Sequence, residues 1–583
     1  MKRVFALLLL VCLVCLALAG CGKTNLEESQ GYIDDHPLAE KKLYTVSFCL
    51  VSDAALDPLV LSGMQAEFNR YTEENYNIHV VFTNKTAAEY AAWLDAKYTD
   101  VEAAHVIYVA AEEAYTAASV AEASMPASAS DADVLAARNN KIAAQADYNV
   151  ALKKLDAAVA ADVKTNTTAA ATALANGDYD AASAAYRTAY KLLEDNTSKS
   201  SGNIGSDIRE VYPEVLDSQF DIIYIANYEM LSSLVRANRL RDLTAELNSQ
   251  TYRLIKKQMT EKFFESAKVG GKIFGVPSCR VMAEYKYMRV NVAKANEKNY
   301  IFQKELTDYS STSMLRQAIT GDGDNPADYV QRDLIGDYNY RNTLAEDGTW
   351  WVYATANEQL PQINQSDLMN GMLAVTSYAY VDNGGTQSTT DDDFCPAVKI
   401  LYAVSTERAL HTILQYGAPG LTYTLKTVND GNGGRATVVS KINDTGYTYD
   451  VDPKYTGNTF SLYPTEEEFL NGTQKGNMSQ TTETLITQDV FAMEATPSAE
   501  GCTAAPNAPF GKVGETVTFT ATPADGYKFV QWYLKGVDGD PDDIRSTTPV
   551  YQHVVTKGDG DLNLLALFEA LEPENPPEEP EGD

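Results

Sequence analysis

The apolar residues near the start of the folded part of the chain follow two different spacings. A β-branched and aromatic run, LYTVSFCLVS at residues 43–52, predicts a buried strand. Apolar residues then recur at helical spacing between Leu56 and Tyr71, and a second strand, IHVVFT, is predicted at residues 78–83. The order strand, helix, strand predicts the opening of a parallel sheet in an α/β fold.

The pattern changes at about Val101, where alanine becomes the dominant residue. Up to Asp195 there is one proline, Pro126, and the composition strongly favours helix. Stop and N-cap signals near Pro126 and in ANGDYD, residues 175–180, predict two or three long antiparallel helices. We therefore predict a helical insert over residues 101–202. It is either a protruding helical hairpin that contacts a partner or a solvated insertion with no role of its own.

The sheet pattern resumes after this insert. FDIIYIA, residues 220–226, predicts a strand, and NYEMLSSLVRANRL after it predicts a helix. AKVGGKIFGVP, residues 267–277, predicts a glycine turn and a short strand, and an alternating strand should follow through Tyr285 and Arg289. We assign residues 43–100 and 203–280 to one lobe, and residues 281–480 to a second lobe with a return to the first.

The pattern of apolar and polar residues near the C-terminus predicts a small all-β module. Val517 and Phe519 alternate with threonines, and Leu562, Leu564, Ala566 and Phe568 share one face of a predicted strand. The predicted module covers residues 496–570, with Trp532 in its core. Residues 571–583, EPENPPEEPEGD at their end, form an acidic, proline-rich tail that we predict to be disordered.

The N-terminus reads as a secretory signal. A short cationic start precedes the apolar stretch at residues 4–20, and small residues precede Cys21. The segment LAGC, residues 18–21, resembles the lipobox of bacterial lipoproteins. That resemblance implies cleavage after residue 20, a lipid on Cys21 as membrane anchor, and a tether over residues 21–42. The alternative is a plain secretory signal with a chance cysteine.

Charge and residue counts exclude several functions. The net charge is −33 and includes Lys2 and Arg3, so removal of the signal leaves −35. Such a field repels phosphates, and we expect no nucleic-acid partner. The histidines show no zinc-ligand spacing and no G-x-S-x-G elbow is present, so we expect no metal, no cofactor and no enzyme activity. The remaining cysteines are too few for a disulfide scaffold, although one bridge is possible among Cys49, Cys279, Cys395 and Cys502.

Several segments, in order, carry a family resemblance. They are PLVLSGMQAEFNRYTEENYNIHVVF, FDIIYIANYEMLSSLVRANRLRDLTAEL, AKVGGKIFGVPSCRVMAEYKYMRVN, PAVKILYAVSTERALHTILQYGAPGLTYTL and DPKYTGNTFSLYP. With the insert removed, residues 43–464 resemble the extracellular solute-binding lipoproteins of ABC importers, of the sugar-binding type found in Gram-positive bacteria. This implies an α/β fold of two lobes, like periplasmic binding proteins, that captures a carbohydrate of oligosaccharide size for an ABC permease. The C-terminal module resembles the bacterial surface repeat related to internalin B-repeats.

Candidate solute contacts lie at or just beyond the predicted strand ends, where both lobes would face one cleft. They are Ser52, Asp53, Asn84, Asn227, Tyr228, Arg280, Glu284, Tyr285 and Trp351. Each has a structural alternative. Asp53, Asn84 and Asn227 are also N-cap residue types, and Arg280 with Glu284 could form an internal ion pair. Trp350 and Trp351 are adjacent in a predicted strand, so their side chains should point to opposite faces.

A second function stays open at this point. The insert, the C-terminal module and a short, polar stretch in the second lobe also fit a cell-surface adhesion or interaction lipoprotein on a degenerate solute-binding scaffold. Solute capture is the interpretation that the resemblance favours.

Overall fold

A computed structural model describes most of the chain. The described residues are 43–201, 215–259, 261–278, 284–291, 330–337, 343–344, 350–354, 370–382, 394–429, 435–443, 445–458, 462–466, 469, 489–534 and 543–571. Between residues 284 and 354 the description covers the strand backbones. Cys21, Cys279 and Arg280 lie outside the described residues, and so does the predicted tail apart from Leu571.

The described residues form the following helices and strands. The helices are α1 (Pro58–Tyr76), α2 (Ala87–Ala123), α3 (Asp131–Ala151), α4 (Ala157–Ala175), α5 (Tyr179–Ser201), α6 (Tyr228–Arg236), α7 (Thr244–Asn248), α8 (Arg253–Gln258), α9 (Glu261–Glu265), α10 (Pro396–Thr406) and α11 (Arg408–Tyr416). The first strands are β1 (Tyr44–Ser52), β2 (Ile78–Thr86), β3 (Ile222–Ile225), β4 (Lys268–Val269), β5 (Lys272–Ile273), β6 (Val276–Pro277), β7 (Glu284–Asn291), β8 (Val330–Asp337), β9 (Thr343–Leu344), β10 (Trp350–Ala354) and β11 (Met372–Val375). The later strands are β12 (Tyr423–Asn429), β13 (Arg435–Lys441), β14 (Val490–Pro497), β15 (Thr503–Pro506), β16 (Phe510–Lys512), β17 (Thr516–Thr522), β18 (Tyr527–Leu534), β19 (Asp543–Ser546), β20 (Val550–Val554) and β21 (Leu562–Ala570).

A five-stranded sheet in the order β2-β1-β3-β11-β6 forms the centre of lobe 1. β1 pairs in parallel with β2 along its whole length, from Tyr44 opposite Ile78 to Ser52 opposite Thr86. β3 is also parallel to β1, whereas β11 runs antiparallel to both β3 and β6. The predicted strand, helix, strand opening is therefore confirmed, and the complete sheet is mixed because the chain leaves it after β6 and re-enters it in β11.

Helix α1 shows how local sequence sets an element of lobe 1. The Asp57 carboxylate caps its N-terminus by accepting from Leu59 N at 2.8 Å, and Pro58 occupies the first helical position. Asn77 ends the helix in the left-handed region with φ 53°. Between these ends, Met64 and Phe68 are fully buried against the sheet.

Four helices form the insert, where the sequence predicts two or three. Helix α2 continues without a break through Val101, so the change in composition does not mark the end of an element. Its first part is buried in lobe 1 at Tyr90 and Tyr98, and its later part packs against α3. Helices α3, α4 and α5 enclose a small core around Ile142 and Val163.

The excursion between β6 and β11 contains a second sheet. Its four strands have the order β8-β7-β10-β9, and each neighbouring pair is antiparallel. The backbone register places Trp351 of β10 opposite Asn291 of β7, and Glu284 of β7 opposite Asp337 of β8. We call this sheet lobe 2.

The C-terminal module consists of two packed sheets. They have the orders β16-β14-β21-β18-β19 and β15-β17-β20. Val517, Phe519 and Leu564 point into the space between them and are buried. Trp532 is fully buried there, and its indole N–H donates to Pro549 O at 3.2 Å. The predicted small all-β module is confirmed, and it begins at β14.

This module docks directly on lobe 1. Val490, the first residue of β14, is fully buried as part of the lobe 1 core. Phe510 packs edge-to-face on Phe274, with ring centroids 6.0 Å apart and an interplanar angle of 77°. The Arg236 guanidinium pairs with the Glu515 carboxylate. The sequence does not indicate this interface.

Candidate functional site

One edge of the lobe 1 sheet collects the ends of several strands. β1, β2, β3 and β6 run in one direction and finish there, and the antiparallel β11 begins there. The chain leaves the sheet at Ser278 and returns at Gly371, and Ser278 N donates to Gly371 O at 2.9 Å. We call this the crossover edge. Because strand carboxyl ends leave backbone and loop groups exposed, it is the expected position of a binding cleft.

A third passage of the chain lies against the same edge. It is the short 3₁₀ turn Pro453–Tyr455. Ser278 Oγ donates to Lys454 O at 2.7 Å, and the Tyr455 ring packs edge-to-face on Tyr224 of β3 at 5.0 Å. A Cβ at Gly371 would lie 2.4 Å from Lys454 O, so only glycine permits this approach. All three passages are thus held together by direct contacts.

Asp53 follows β1 and is exposed at this edge. Its Oδ1 accepts from the Tyr455 hydroxyl at 2.7 Å. Burial and the neighbouring Asp53 charge raise the pKa of Tyr455, so the phenol stays protonated and acts as the donor. The second carboxylate oxygen of Asp53 has no hydrogen-bond partner among the described residues. Asp53 therefore presents an oriented acceptor to the space outside the sheet.

Ser52 and Asn84 hold the loop that carries Asp53. Asn84 Nδ2 donates to Ser52 Oγ at 2.9 Å, and Ser52 Oγ donates to Ala54 O at 2.7 Å. Asn84 Oδ1 accepts from Leu56 N at 3.0 Å. Neither residue caps a helix, because Asp57 caps α1 and Thr86 caps α2. Both side chains bind neighbouring groups of the chain, which fixes the loop between β1 and α1.

Asn227 and Tyr228 follow β3 and differ in surroundings. Asn227 is exposed and caps α6, with its Oδ1 accepting from Met230 N at 2.9 Å. The Tyr228 hydroxyl is buried and has no hydrogen-bond partner among the described residues. Burial, with the charges of Asp489 and Asp561 of the C-terminal module, raises the pKa of Tyr228. Tyr228 thus lies next to the docked module.

A buried tyrosine separates β1 from β3 close to the crossover edge. The Tyr90 hydroxyl donates to Tyr224 O at 2.5 Å and accepts from Tyr224 N at 3.0 Å. Direct pairing of β1 with β3 is confined to Phe48 opposite Ile222. Tyr90, from helix α2, therefore replaces the backbone ladder at Tyr224. Burial raises the pKa of Tyr90 well above its ordinary value, which keeps this donor protonated.

The other candidate residues belong to lobe 2. Glu284 and Tyr285 begin β7, and Trp351 lies in β10, which pairs with β7. Their side chains and Arg280 are outside the described part of the chain. Tyr455 is not among the contacts predicted from the sequence, although it lies in the DPKYTG segment that carries the family resemblance. A polar aromatic residue just after an Asp-Pro turn was the available signal.

Charged groups at the turn reinforce its geometry. Lys454 Nζ lies 3.0 Å from Asp452 Oδ2 and 4.7 Å from the centre of the Tyr455 ring. Within the described residues, no group of three or more histidine, cysteine, aspartate or glutamate side chains is arranged to hold a metal ion. The described cysteines Cys49 and Cys395 are free and buried, and burial raises the pKa of Cys395 to about 11. Cys502 is likewise a buried free thiol.

The fold is α/β with an appended all-β module, as the sequence predicts. Residues 491–564 match the family model of the divergent InlB B-repeat domain, which confirms the predicted repeat. No curated protein matches the chain. In the described part of the chain, no helix is both long enough and apolar enough to span a bilayer.

Solved structures similar to this chain include solute-binding proteins. The N-glycan transport solute binding protein NgtS from Streptococcus pneumoniae, in complex with Man5GlcNAc, has 10% identity and a TM-score of 0.30, covering 74% of this chain and 81% of its own. A further structure of NgtS has 12% identity and a TM-score of 0.31 over the same shares. A sugar transporter from Rhizobium etli in an open conformation has 8% identity and a TM-score of 0.15, covering 44% of this chain and 34% of its own.

Proposed function

We propose that this protein is a lipid-anchored, extracellular solute-binding protein that captures a carbohydrate of oligosaccharide size and delivers it to an ABC permease. The lipid on Cys21 would attach it to the membrane. The observation that carries the proposal is the crossover edge, where Asp53 is oriented by Tyr455 between three passages of the chain. Both residues lie within residues 43–464, the range that resembles the solute-binding family, and Tyr455 lies in its segment DPKYTGNTFSLYP.

The chemistry of the edge suits a sugar. Sugar hydroxyls donate hydrogen bonds to carboxylates, and sugar C–H faces stack on aromatic rings. Asp53 supplies the exposed carboxylate, and Asn227 supplies an exposed amide beside it along the sheet. We assign stacking to Trp351 and Tyr285 and further polar contacts to Arg280 and Glu284. Ser52 and Asn84 support the loop. No bond in the solute would be broken, so capture needs no catalytic group.

A paired substitution tests the site. Asp53→Asn removes one charge and weakens the acceptor, and a hydrogen bond to a charged group contributes about 1.5–3 kcal/mol, which is roughly 10- to 100-fold in affinity. Asp57→Asn is the matched control, because it removes the same charge four residues away and Asn still caps a helix. Calorimetric titration with an oligosaccharide panel should show weaker binding for Asp53→Asn only. Absence of saturable binding to any glycan by the unmodified protein would refute the proposal.

The anchor is tested separately. Cys21→Ser should move the protein from the membrane fraction to the soluble fraction without changing its affinity for a glycan. Retention of this variant in the membrane fraction would contradict lipid attachment at Cys21.

The alternative of an adhesion or interaction protein rests on a different observation. The C-terminal module is docked on lobe 1 through Val490 and Phe510, and the insert exposes apolar surface on α2. An adhesion protein should show no thermal stabilisation by any glycan in the panel, whereas a solute-binding protein should be stabilised by one class.

A further inference from the structure

Three helices begin at the crossover edge, where the proposed solute would bind. Helices α1, α2 and α6 follow β1, β2 and β3, so each places its N-terminus at this edge. A helix N-terminus carries unpaired backbone N–H groups and the positive end of the helix dipole, and it attracts anions. The way in which these three ends are closed therefore determines which solute charge the edge favours.

Side chains of the protein itself close each of the three ends. Asp57 accepts from the backbone of α1 at 2.8 Å, and Asn227 accepts from the backbone of α6 at 2.9 Å. Thr86 and Glu89 form a capping pair at α2, in which the Thr86 hydroxyl donates to Glu89 Oε2 at 2.9 Å. Glu229 adds an acidic group in the first turn of α6. An anionic solute would have to displace these caps and would meet three carboxylates.

The other charged residues of the edge increase its acidity. Asp53 is exposed, and Asp452 precedes the 3₁₀ turn. Both lysines of the edge already have partners. Lys454 Nζ lies 3.0 Å from Asp452 Oδ2, and Lys85 Nζ lies over the Trp93 ring at 5.9 Å. Among the described strand ends, first helical turns and 3₁₀ turn there are thus five acidic residues and two lysines, an excess of three negative charges.

Asp53 offers a direct contact to a cation. One carboxylate oxygen is held by the Tyr455 hydroxyl at 2.7 Å, which leaves the other oxygen for a solute group. A hydrogen bond between an ammonium group and a carboxylate is roughly twice as strong as one between neutral groups. Arg280 and Glu284, which the sequence assigns to the same cleft, carry opposite charges and add no net charge to it.

We propose that the crossover edge selects glycans by charge and that its solute carries free amino groups. The inference rests on the proposed function, because it concerns the same site. Asp53 binds a protonated amino group directly, and the acidic groups at the helix ends favour that group at longer range. Glycans that carry carboxylate or sulfate groups are disfavoured, whereas uncapped helix ends in the same place would attract them.

Coulomb's law sets the expected size of this selection. Two unit charges about 8 Å apart in water change an equilibrium constant about 2-fold. An excess of three acidic groups should therefore favour an ammonium group over a neutral group by about 10-fold at low ionic strength, and it should disfavour a carboxylate by the same factor. At about 1 M salt the Debye length is about 3 Å, so most of the difference should disappear.

Calorimetric titration with three matched tetrasaccharides tests the inference. They share a β-1,4-linked gluco backbone and are tetraglucosamine with free amino groups, neutral cellotetraose, and cellotetraose oxidised to carboxylates at C6. The sample is the chain from residue 22 to residue 583, which keeps every described residue. At pH 6, where sugar amines are protonated, tetraglucosamine should bind about 10-fold more tightly than cellotetraose, and the oxidised form should bind about 10-fold more weakly.

A double variant locates the source of the selection. Glu89→Gln with Glu229→Gln removes two charges at the helix ends, and glutamine keeps the capping pair with Thr86. The ratio of the affinities for tetraglucosamine and the oxidised form should fall about 10-fold, with the affinity for cellotetraose unchanged. The matched control is Glu113→Gln with Asp162→Asn, which removes two exposed charges from the insert and should leave the ratio unchanged.

Several outcomes would overturn the inference. They are any other order of the three affinities, no binding of tetraglucosamine, and an order that the double variant at the helix ends leaves unchanged. The proposed function survives each of these outcomes as long as a glycan of some kind binds. It fails only if no glycan of any charge binds, so the two failures are distinguishable.

Discussion

The turn between β4 and β5 offers a sharp test of how the C-terminal module is held. Gly270 and Gly271 have φ values of 56° and 71°, which is the conformation of a tight hairpin turn that favours glycine. A Cβ added at Gly270 would lie 2.8 Å from Ala492 N and 2.9 Å from the Phe510 ring. Both atoms belong to the module. Gly270→Ala therefore requires the module to move away from lobe 1.

The expected loss can be worked out by comparison with the neighbouring glycine. A Cβ at Gly271 would meet only the Asp561 carboxylate, at 3.1 Å, and that side chain can shift. Each alanine costs about 1–2 kcal/mol for its left-handed backbone. Gly270→Ala should lose about 0.5–1.5 kcal/mol more, because the rings of Phe510 and Phe274 separate. It should also lose about 0.2–1 kcal/mol from the surface ion pair between Arg236 of lobe 1 and Glu515 of the module.

Hydrogen–deuterium exchange and thermal unfolding measure this difference. Gly270→Ala should speed amide exchange in β16 and in the β4–β5 turn, and it should lower the melting temperature more than Gly271→Ala does. If both variants unfold alike and exchange in β16 is unchanged, the close approach at Gly270 does not hold the module, and the reasoning is wrong.

Three further predictions concern buried polar groups. Burial lowers the pKa of Lys399 to about 8, so the stability that Lys399 contributes is lost as pH falls from 10.5 through 8. Lys399→Met should therefore have a free energy of unfolding about 3 kcal/mol higher than the unmodified protein at pH 7. Equal or lower stability of this variant in urea unfolding would contradict the prediction. Burial raises the pKa of Asp221 to about 6, so its contribution is present below pH 4 and is lost as pH rises through 6. Both oxygens of Asp221 accept from backbone N–H groups, one from Ser47 and the other from Tyr380, so the amide nitrogen of Asp221→Asn must face one of these donors. Asp221→Asn should remove that pH dependence and destabilise the fold by about 1–3 kcal/mol in urea unfolding at pH 7; a neutral effect would argue against the donor set. Tyr90→Phe should remove the two hydrogen bonds that the hydroxyl makes with Tyr224 N and Tyr224 O and cost about 1–3 kcal/mol in the same assay; unchanged stability would contradict this.

Local patterns predicted the elements of lobe 1 well, because each element carries its own signals. The strand at β1 and the helix at α1 lie close to their predicted positions. The helix N-caps were assigned less well. Asp53 and Asn84 are residue types that often cap helices, but the N-caps are Asp57 and Thr86. The better signals were Pro58 directly after Asp57, and Thr86 three residues before Glu89.

Features that depend on distant parts of the chain could not be read from the pattern. The Tyr455 hydroxyl reaches Asp53 across about 400 positions, and nothing in the local sequence of either residue indicates the other. The docking of Val490 into lobe 1 is of the same kind. The continuity of α2 could have been predicted, because residues 87–123 contain no proline or glycine, and the rise in alanine content favours helix.

That continuity makes α2 a lever. One end is clamped in lobe 1 at Tyr90 and Tyr98, and the other extends from residue 102 to residue 123, about 33 Å at 1.5 Å per residue. A tilt of about 10° at the clamped end would displace the far end by about 6 Å over that length. Because the Tyr90 hydroxyl bonds to the backbone of β3 close to the crossover edge, a small shift there would be amplified at the tip of the insert.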